Sequence, residues 1–133
     1  MVFLDESGFL LVPTVRRTWA PRGQTPILRC AGHWTKISAS SAITVSPKRT
    51  RLALYARFHP DKNIGSAETA VFLRQLARHL RSRVLVLWDG GNQHKGTPVR
   101  HFRLRHPAWE FHRFPGYAPE LNTDEFVWTL LNQ

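Results

Sequence analysis

The sequence predicts an α/β fold in which a mixed sheet, made of an antiparallel hairpin plus parallel strands, is flanked by helices. Two stretches carry this prediction. Alternating apolar residues on both sides of the turn "SPKRT" indicate two paired strands. The continuous apolar run "VLVLW", residues 84 to 88, is typical of a central parallel strand that is buried on both faces. Helical periodicity before and after this run supplies the layers that would cover the sheet.

The N-terminal half is expected to supply the antiparallel part of the sheet. A short buried strand, "VFL", should stop at Asp5, where the turn-forming "DESG" begins. Residues 10 to 35 are expected to be irregular or weakly stranded, because Pro and Gly interrupt "TWAPRGQTP". The hairpin follows, with Leu52, Leu54 and Phe58 on one face of its second strand.

The second half alternates helices with strands. Ser66 is a candidate N-cap for a helix that runs to about Leu80. The apolar stripe of this helix consists of Phe72, Leu73, Leu76, Ala77 and Leu80. Thr97 and Pro98 fit the N-cap and first position of a shorter helix that ends near Arg105. A further strand is expected over "WEFHRF", and a last helix is expected to open at Asn122 or Thr123.

Length and composition point to one domain in a reducing compartment. The 133 residues are 42% hydrophobic, which is enough for one core, and they contain no repeat or linker. No stretch has the roughly 20 apolar residues of a membrane span, and the start lacks an export signal. The single Cys30 excludes an internal disulfide framework and favours the cytoplasm.

The charge indicates a polyanionic partner. Lys and Arg number 19 against 9 Asp and Glu, which gives a net charge of +10 and an isoelectric point near 11.3. Most of the cations are arginines, whose planar guanidinium pairs well with phosphate oxygens. DNA or RNA is therefore the expected partner. A basic surface that serves solubility alone is the alternative.

Two of the few acids come directly after apolar runs. Asp5 ends the first predicted strand and Asp89 follows "VLVLW". If the two strands are neighbours, both side chains emerge at the edge where open α/β sheets bind ligands. Asp89 could instead serve a turn, because Asp-Gly is a favoured turn pair, and Asp5 taken alone could equally be a turn residue. No pairing strand follows "GGNQHKG", so a hairpin turn at Asp89 is the weaker reading.

A third carboxylate, Glu125, has two interpretations. Asn122 followed three residues later by Glu125 forms a capping-box pattern, and Asp124 would also favour a helix N-terminus. Considered together with Asp5 and Asp89, Glu125 completes a set of three acids in a basic chain. Such a set suits two Mg²⁺ or Mn²⁺ ions, which prefer oxygen ligands and can clamp a phosphodiester during in-line displacement.

Three blocks of the sequence resemble the signature blocks of insertion-sequence transposases in the Tc/mariner-like DDE superfamily. They are "FLDESGFLLVPTVRRTWAPRGQTP", "LVLWDGGNQHKG" and "FPGYAPELNTDEFVW", and the similarity runs over the whole chain. The third block is the most distinctive. Thr123 stands where the family usually has Pro, and Gly90 where many members have Asn.

The resemblance implies a ribonuclease-H-like fold and metal-dependent cutting and joining of DNA at transposon ends. Asp5, Asp89 and Glu125 match the catalytic Asp, Asp and Glu, which bind two divalent ions. Asp124 falls at a variable position of its block. Residues 1–133 would then be one catalytic domain without the family's N-terminal helix-turn-helix region and with a shortened last helix.

The resemblance also implies partners and a location. Transposon-end and target DNA are the expected substrates, a homodimer in a synaptic complex is the expected assembly, and no membrane is involved. A bacterial cytoplasm, at the nucleoid, is the expected site of action. The alternative is an inactive transposase remnant that binds nucleic acid without cutting it.

Candidate DNA contacts lie in the first two blocks. His94 and Lys95 follow Asp89 closely and could meet a phosphate, although an ordinary surface loop fits them equally well. Arg16, Arg17 and Arg22 supply cations in the first block. A zinc site is disfavoured, because no Cys pair accompanies the histidines.

Overall fold

The computed structural model describes residues 1–10, 21–24, 36–48 and 50–115. Within these ranges the chain forms five strands, two α-helices and one short 3₁₀ helix. The strands are β1 (Val2–Leu10), β2 (Lys36–Val45), β3 (Leu52–Pro60), β4 (Val84–Trp88) and β5 (Trp109–Arg113). The α-helices are α1 (Ser66–His79) and α2 (Thr97–Arg105), and the 3₁₀ helix is η1 (Asn92–His94). The predicted α/β architecture of a mixed sheet with helices is confirmed.

The sheet joins an antiparallel half to a parallel half at β1. Its strand order is β3-β2-β1-β4-β5. The pairs β1–β2 and β2–β3 are antiparallel, whereas β1–β4 and β4–β5 are parallel. The predicted hairpin and the predicted parallel strand at residues 84–88 are both confirmed. Because β1, β4 and β5 run in the same direction, their carboxyl ends meet at one edge of the sheet.

The prediction that the first strand stops at Asp5 is wrong. β1 continues to Leu10, because β2 pairs with it along its whole length and places Ser41 opposite Asp5 and Ser38 opposite Gly8. Nine cross-strand positions outweigh the local turn preference of "DESG". The parallel ladder with β4 is much shorter and covers only Val2 and Phe3. Asp5 therefore lies inside a strand but just past the end of the parallel ladder.

Both α-helices contribute to one core on one face of the sheet. The buried apolar side chains of this core are Val2, Leu4, Ala42, Ala70, Phe72, Leu73, Leu76, Val84, Val86, Trp88, Val99, Phe102 and Trp109. The stripe predicted for α1 is confirmed, with Ala77 and Leu80 packed at its margin. Burying each large side chain of this set contributes about 1.5–3 kcal/mol. The core therefore fixes the positions of α1, α2 and the parallel strands relative to one another.

The N-cap of each helix lies one residue before the predicted N-cap. Gly65 is the N-cap of α1 and Gly96 that of α2, so Ser66 and Thr97 are the first helical residues. A Cβ atom on Gly96 would overlap the Ser66 side chain, because the two helix starts touch. Only glycine leaves room for this contact.

β4 is less enclosed than predicted. Val84, Val86 and Trp88 are buried on the helix side, whereas Leu85 and Leu87 on the other side are half-buried. Of residues 10 to 35, the structure describes only Leu10, whose backbone ends β1, and the exposed turn at 21–24. The helix predicted after Asn122 lies outside the described residues. Within the described part of the chain, no helix has the length and apolar character of a membrane span.

Candidate active site

Asp5 and Asp89 occupy equivalent places on two neighbouring parallel strands. Phe3 of β1 pairs with Leu87 of β4, and each aspartate lies two residues further along its own strand direction. The predicted adjacency of the two strands, with both aspartates at one edge, is confirmed. The arrangement places two acids from separate parts of the sequence at one edge of the sheet.

Asp89 has one oxygen engaged in the protein and remains half exposed. Its Oδ1 accepts a hydrogen bond of 2.8 Å from the Gly91 backbone N–H. Its side chain is 52% exposed, so solvent and ligands reach the carboxylate. Asp89 therefore also stabilises the local turn, as its alternative role predicted. It leaves the carboxylate available for chemistry as well.

Glu6 is buried, although it directly follows Asp5. Side chains alternate along β1, so Glu6 lies on the core face, and its side chain is only 8% exposed. Its Oε1 accepts a hydrogen bond of 3.4 Å from Thr69 Oγ1, and its Oε2 accepts one of 3.1 Å from Gln93 Nε2. His94 Nε2 lies 3.1 Å from the same Oε2. A buried carboxylate requires such partners, because desolvation without them would be costly.

His94 connects Glu6 to Asp89. Its Nδ1 lies 3.1 Å from the Asp89 carbonyl oxygen and 3.0 Å from Asp89 Oδ1. Its ring stacks on Trp88, with centroids 4.2 Å apart and planes 5° from parallel. The side chain is only 3% exposed, so His94 is held on every side by the protein.

The surroundings of His94 favour its protonated form. Burial lowers the pKa of the ring. The hydrogen bond and charge of Glu6, followed by the carbonyl and charge of Asp89, raise the pKa by more than burial lowers it. The net pKa of His94 therefore lies above its ordinary value. Each ring nitrogen also has an oxygen within hydrogen-bond distance, the Asp89 carbonyl for Nδ1 and Glu6 Oε2 for Nε2. Through its two ring nitrogens, His94 therefore connects the Glu6 carboxylate to Asp89.

Glu6, Asp89 and His94 meet the distance condition for a metal site, since one ligand atom from each lies within 4.8 Å of the others. Both ring nitrogens of His94 are already engaged with oxygen atoms of the protein, however, and Glu6 already accepts bonds from three side chains. This trio is better described as a hydrogen-bonded network beside a metal site. The half-exposed carboxylate of Asp89 and the neighbouring Asp5 offer the hard oxygen atoms that Mg²⁺ or Mn²⁺ prefers.

A basic cleft adjoins Asp89 on the α2 side. Its volume is about 340 Å³, and its lining consists of Trp88, His94, Lys95, Arg100, Arg103, Phe111 and Arg113. The Arg103 guanidinium carbon lies 5.1 Å from the centre of the Phe111 ring. Arg113 passes close to Gly90, within 3.8 Å of where a Cβ atom would stand. The lysine and the three arginines of the cleft form no ion pair with a carboxylate in residues 1–10, 21–24, 36–48 or 50–115.

The residues predicted to contact nucleic acid differ in their positions. Lys95 is exposed and lines the basic cleft, and Arg22 is exposed in the turn at 21–24. His94 is buried, with both nitrogens directed at protein atoms. Arg16 and Arg17 lie outside the described residues. Contact of these residues with DNA stays a prediction.

The catalytic and metal-binding roles of the predicted acids also stay predictions. Glu125 and Asp124 lie outside the described residues. Glu6 was missed at the sequence level, because the strand was expected to end before it. A strand extended to Leu10 would have placed Glu6 on the face of Val2 and Leu4, where an acid needs buried partners.

Comparison with known proteins identifies a family and several structures of similar fold. The family described as DDE superfamily endonuclease matches residues 1–133. The Mos1 transposase paired-end complex with left transposon end is 22% identical, with a TM-score of 0.70 over 98% of this chain and 40% of that chain. A structure of the Mos1 transposase catalytic domain and Raltegravir with Mg is 17% identical, with a TM-score of 0.64 over 98% of this chain and 58% of that chain.

A more distant likeness extends to a viral integration complex. The simian T-cell lymphotropic virus intasome in complex with PP2A regulatory subunit B56 gamma gives a TM-score of 0.56 at 14% identity, over 73% of this chain and 32% of that chain. No curated protein sequence matches this chain significantly.

The chain spans about two fifths of the Mos1 chain in the paired-end complex. The likeness to Mos1 shows a shared fold, and the mixed sheet with its helices is the ribonuclease-H-like fold implied by the sequence resemblance. The family match covers every residue from 1 to 133. This chain therefore belongs to the DDE superfamily endonucleases.

Proposed function

We propose that the chain is the catalytic core of a Tc/mariner-like transposase, which cuts DNA at transposon ends and joins the freed 3′ end to target DNA. Two Mg²⁺ or Mn²⁺ ions would be held by Asp5, Asp89 and Glu125. Such ions activate the attacking water and stabilise charge on the leaving oxygen. The proposal includes a homodimer in which two copies of the chain hold two transposon ends together.

The observation that carries this proposal is the placement of Asp5 beside Asp89. Two parallel strands bring them to the same edge of the sheet, with Asp89 half exposed. Two nearby carboxylates repel each other unless a cation lies between them. A basic protein that collects acids at one accessible edge therefore has the electrostatics of a divalent-cation site.

The basic cleft supports DNA as the substrate. Lys95, Arg100, Arg103 and Arg113 present four cations next to the edge that carries Asp89. Contacts of this kind with phosphates hold the DNA backbone without reading its sequence. The cleft would therefore bring a phosphodiester towards the metal-binding carboxylates.

Relaxation of supercoiled plasmid with Mg²⁺ or Mn²⁺ tests the proposal. We expect Asp89→Asn to reduce metal-dependent nicking by at least about 100-fold, because Asn keeps the shape but loses the charge that binds a hard cation. DNA affinity should stay equal or rise slightly, because a negative charge is removed near phosphate.

Asp61→Asn is a matched control for this experiment. Asp61 is exposed and has a positive φ of 54°, a conformation that Asn also adopts readily. It should nick like the wild type. Equal nicking by Asp89→Asn and wild type would contradict the proposal. DNA binding without nicking by the wild type would instead support the inactive remnant.

The same assay tests the third carboxylate. We expect Glu125→Gln to behave like Asp89→Asn, and Asp124→Asn to have little effect, because Asp124 would serve only the start of a helix, at about 0.3–1 kcal/mol. The opposite pattern would show that the third ligand has been assigned to the wrong residue.

A further inference from the structure

We propose that Glu6 and His94 are positioning residues that hold Asp89 in the orientation its metal requires. We call Glu6, His94 and Asp89 the carboxylate clamp. The inference rests on the proposed function, because it assigns a role to two residues beside the proposed metal ligand. Neither residue is proposed to touch DNA or metal.

Glu6 is the fixed end of the clamp. The β1 backbone holds it from one side, and Thr69 of α1 and Gln93 of η1 donate hydrogen bonds to it from two other elements. Its side chain is almost completely buried, so water does not compete for these bonds. The carboxylate of Glu6 is thereby tied to both the sheet and the helix layer.

His94 connects the fixed carboxylate of Glu6 to Asp89 and so restrains Asp89. The ring is stacked on Trp88, whose own side chain is 3% exposed and part of the core. With Nε2 held by Glu6, Nδ1 is directed at the carbonyl and Oδ1 of Asp89. The Gly91 N–H holds the same Oδ1 from the other side. The contacts of this side chain with described residues all involve Oδ1, so Oδ2 is the oxygen that would bind the cation.

The clamp restrains Asp89, which the strands of the sheet leave unrestrained. Asp89 lies past the end of β4, where no strand pairing constrains its backbone. A metal ligand in an unconstrained loop would lose conformational entropy each time the metal binds, and this loss would weaken metal affinity. Groups that orient metal ligands from behind typically change metal affinity or activity by about 10–100-fold when they are removed.

Two substitutions open the clamp in different ways. Glu6→Gln removes the charge that holds His94 and keeps the size of the side chain. His94→Phe keeps an aromatic ring on Trp88 and removes both donors. The double variant Glu6→Gln/His94→Phe avoids an unpaired buried carboxylate, so it stays informative if His94→Phe alone fails to fold.

Glu110 and His112 provide matched controls. They are the same residue types at 3.6 Å separation on β5, but their side chains are 73% and 58% exposed. Glu110→Gln and His112→Phe therefore make the same chemical changes outside the clamp. Both should leave metal binding and nicking unchanged.

Mn²⁺ binding by paramagnetic resonance and nicking at saturating DNA are the first measurements. We expect the clamp variants to bind Mn²⁺ about 10–100-fold more weakly and to nick correspondingly more slowly, with unchanged DNA affinity. Raising Mn²⁺ should restore nicking in Glu6→Gln but not in Asp89→Asn, which has lost the ligand itself. A variant with lower melting temperature but wild-type Mn²⁺ affinity would show a merely structural role and overturn the inference.

Hydrogen exchange of the Gly91 amide tests the clamp without metal or activity. This amide donates to Asp89 Oδ1, so it should exchange at least about 10-fold faster when Asp89 is released. Amides in α1 should keep their exchange rates. Unchanged Gly91 exchange in all clamp variants would overturn the inference. If the wild type neither binds Mn²⁺ nor nicks, the proposed function fails, while this measurement still decides whether the clamp orients Asp89.

Discussion

Gly90 and Gly96 lie six residues apart, yet only one of them requires glycine for space. A Cβ atom on Gly96 would overlap Ser66, where the first residues of α1 and α2 touch. A Cβ atom on Gly90 would make ordinary contacts of 3.8 Å with Arg113. Glycine at residue 96 therefore keeps the two helix starts in contact.

We expect Gly96→Ala to destabilise the domain by about 1–3 kcal/mol, because the added methyl group forces the helix starts apart. Gly90→Ala should change the free energy of unfolding by less than about 0.5 kcal/mol. Urea denaturation of both variants measures the difference. Equal stability of the two variants would show that the helix starts separate at no cost.

At the scale of single residues, the sequence predicted the accessible acids better than the buried ones. Asp5 and Asp89 follow apolar runs, and that local signal was sufficient to place both at one edge. Glu6 could be recognised only after β2 was known to extend β1, because strand length is decided by the partner strand. His94 looked like a surface residue because its burial depends on Trp88 and Glu6, which are distant in the sequence or on another element.

Among the secondary-structure elements, α1 has the clearest local reason to begin where it does. Glu68 Oε2 accepts a hydrogen bond of 3.0 Å from the Gly65 N–H and thereby closes the first turn. Its bonds to its own backbone N–H and to that of Gly65 lower the pKa of Glu68 below its usual 4.5. The charged form of Glu68 is therefore the one that stabilises the folded helix.

This shift predicts a specific pH dependence for the helix start. A lowered folded pKa means that the stabilisation is fully present above pH 4.5 and is lost as the pH falls through the folded pKa. We expect Glu68→Gln to cost about 0.3–1 kcal/mol near pH 7 and progressively less at acidic pH. Unfolding free energies measured from pH 7 to pH 3 test this. A pH-independent difference between the proteins would rule out the charge of Glu68 as the cause.

Element types and order were predictable because each element has a strong local pattern. The hairpin, α1, β4, α2 and β5 all occur near their predicted places. The ends were less predictable, since the β1 terminus depends on β2 and the helix starts depend on the contact of Gly96 with Ser66. Long-range pairing, which a local pattern does not contain, accounts for these differences.

Across the whole molecule, the excess of cations predicts DNA binding that tolerates sequence and weakens steeply with salt. Phosphate contacts release counterions, so the logarithm of affinity falls linearly with the logarithm of salt concentration. If the basic cleft is the DNA path, Lys95→Ala/Arg100→Ala should reduce this slope by about 2, or about 1 for each lost contact. Titration of a labelled duplex at several salt concentrations measures the slope.

Arg74→Ala/Arg78→Ala is the matched control for the cleft. It removes the same charge from exposed positions on α1 that do not line the cleft. Its slope should stay close to that of the wild type. Identical slopes for the two double variants would indicate that net charge, rather than the cleft, determines binding.

The pairing of β1 with β4 has a consequence for the chain while it is being made. β1 is synthesised before β2, β3 and α1, and its parallel neighbour β4 follows only after all three. Contacts between such distant segments form late, because the intervening chain must be ordered first. Asp5 and Asp89 therefore come together only after every residue between them has been synthesised. In the proposed transposase, these two metal ligands would therefore come into place only after both halves of the sheet have been made.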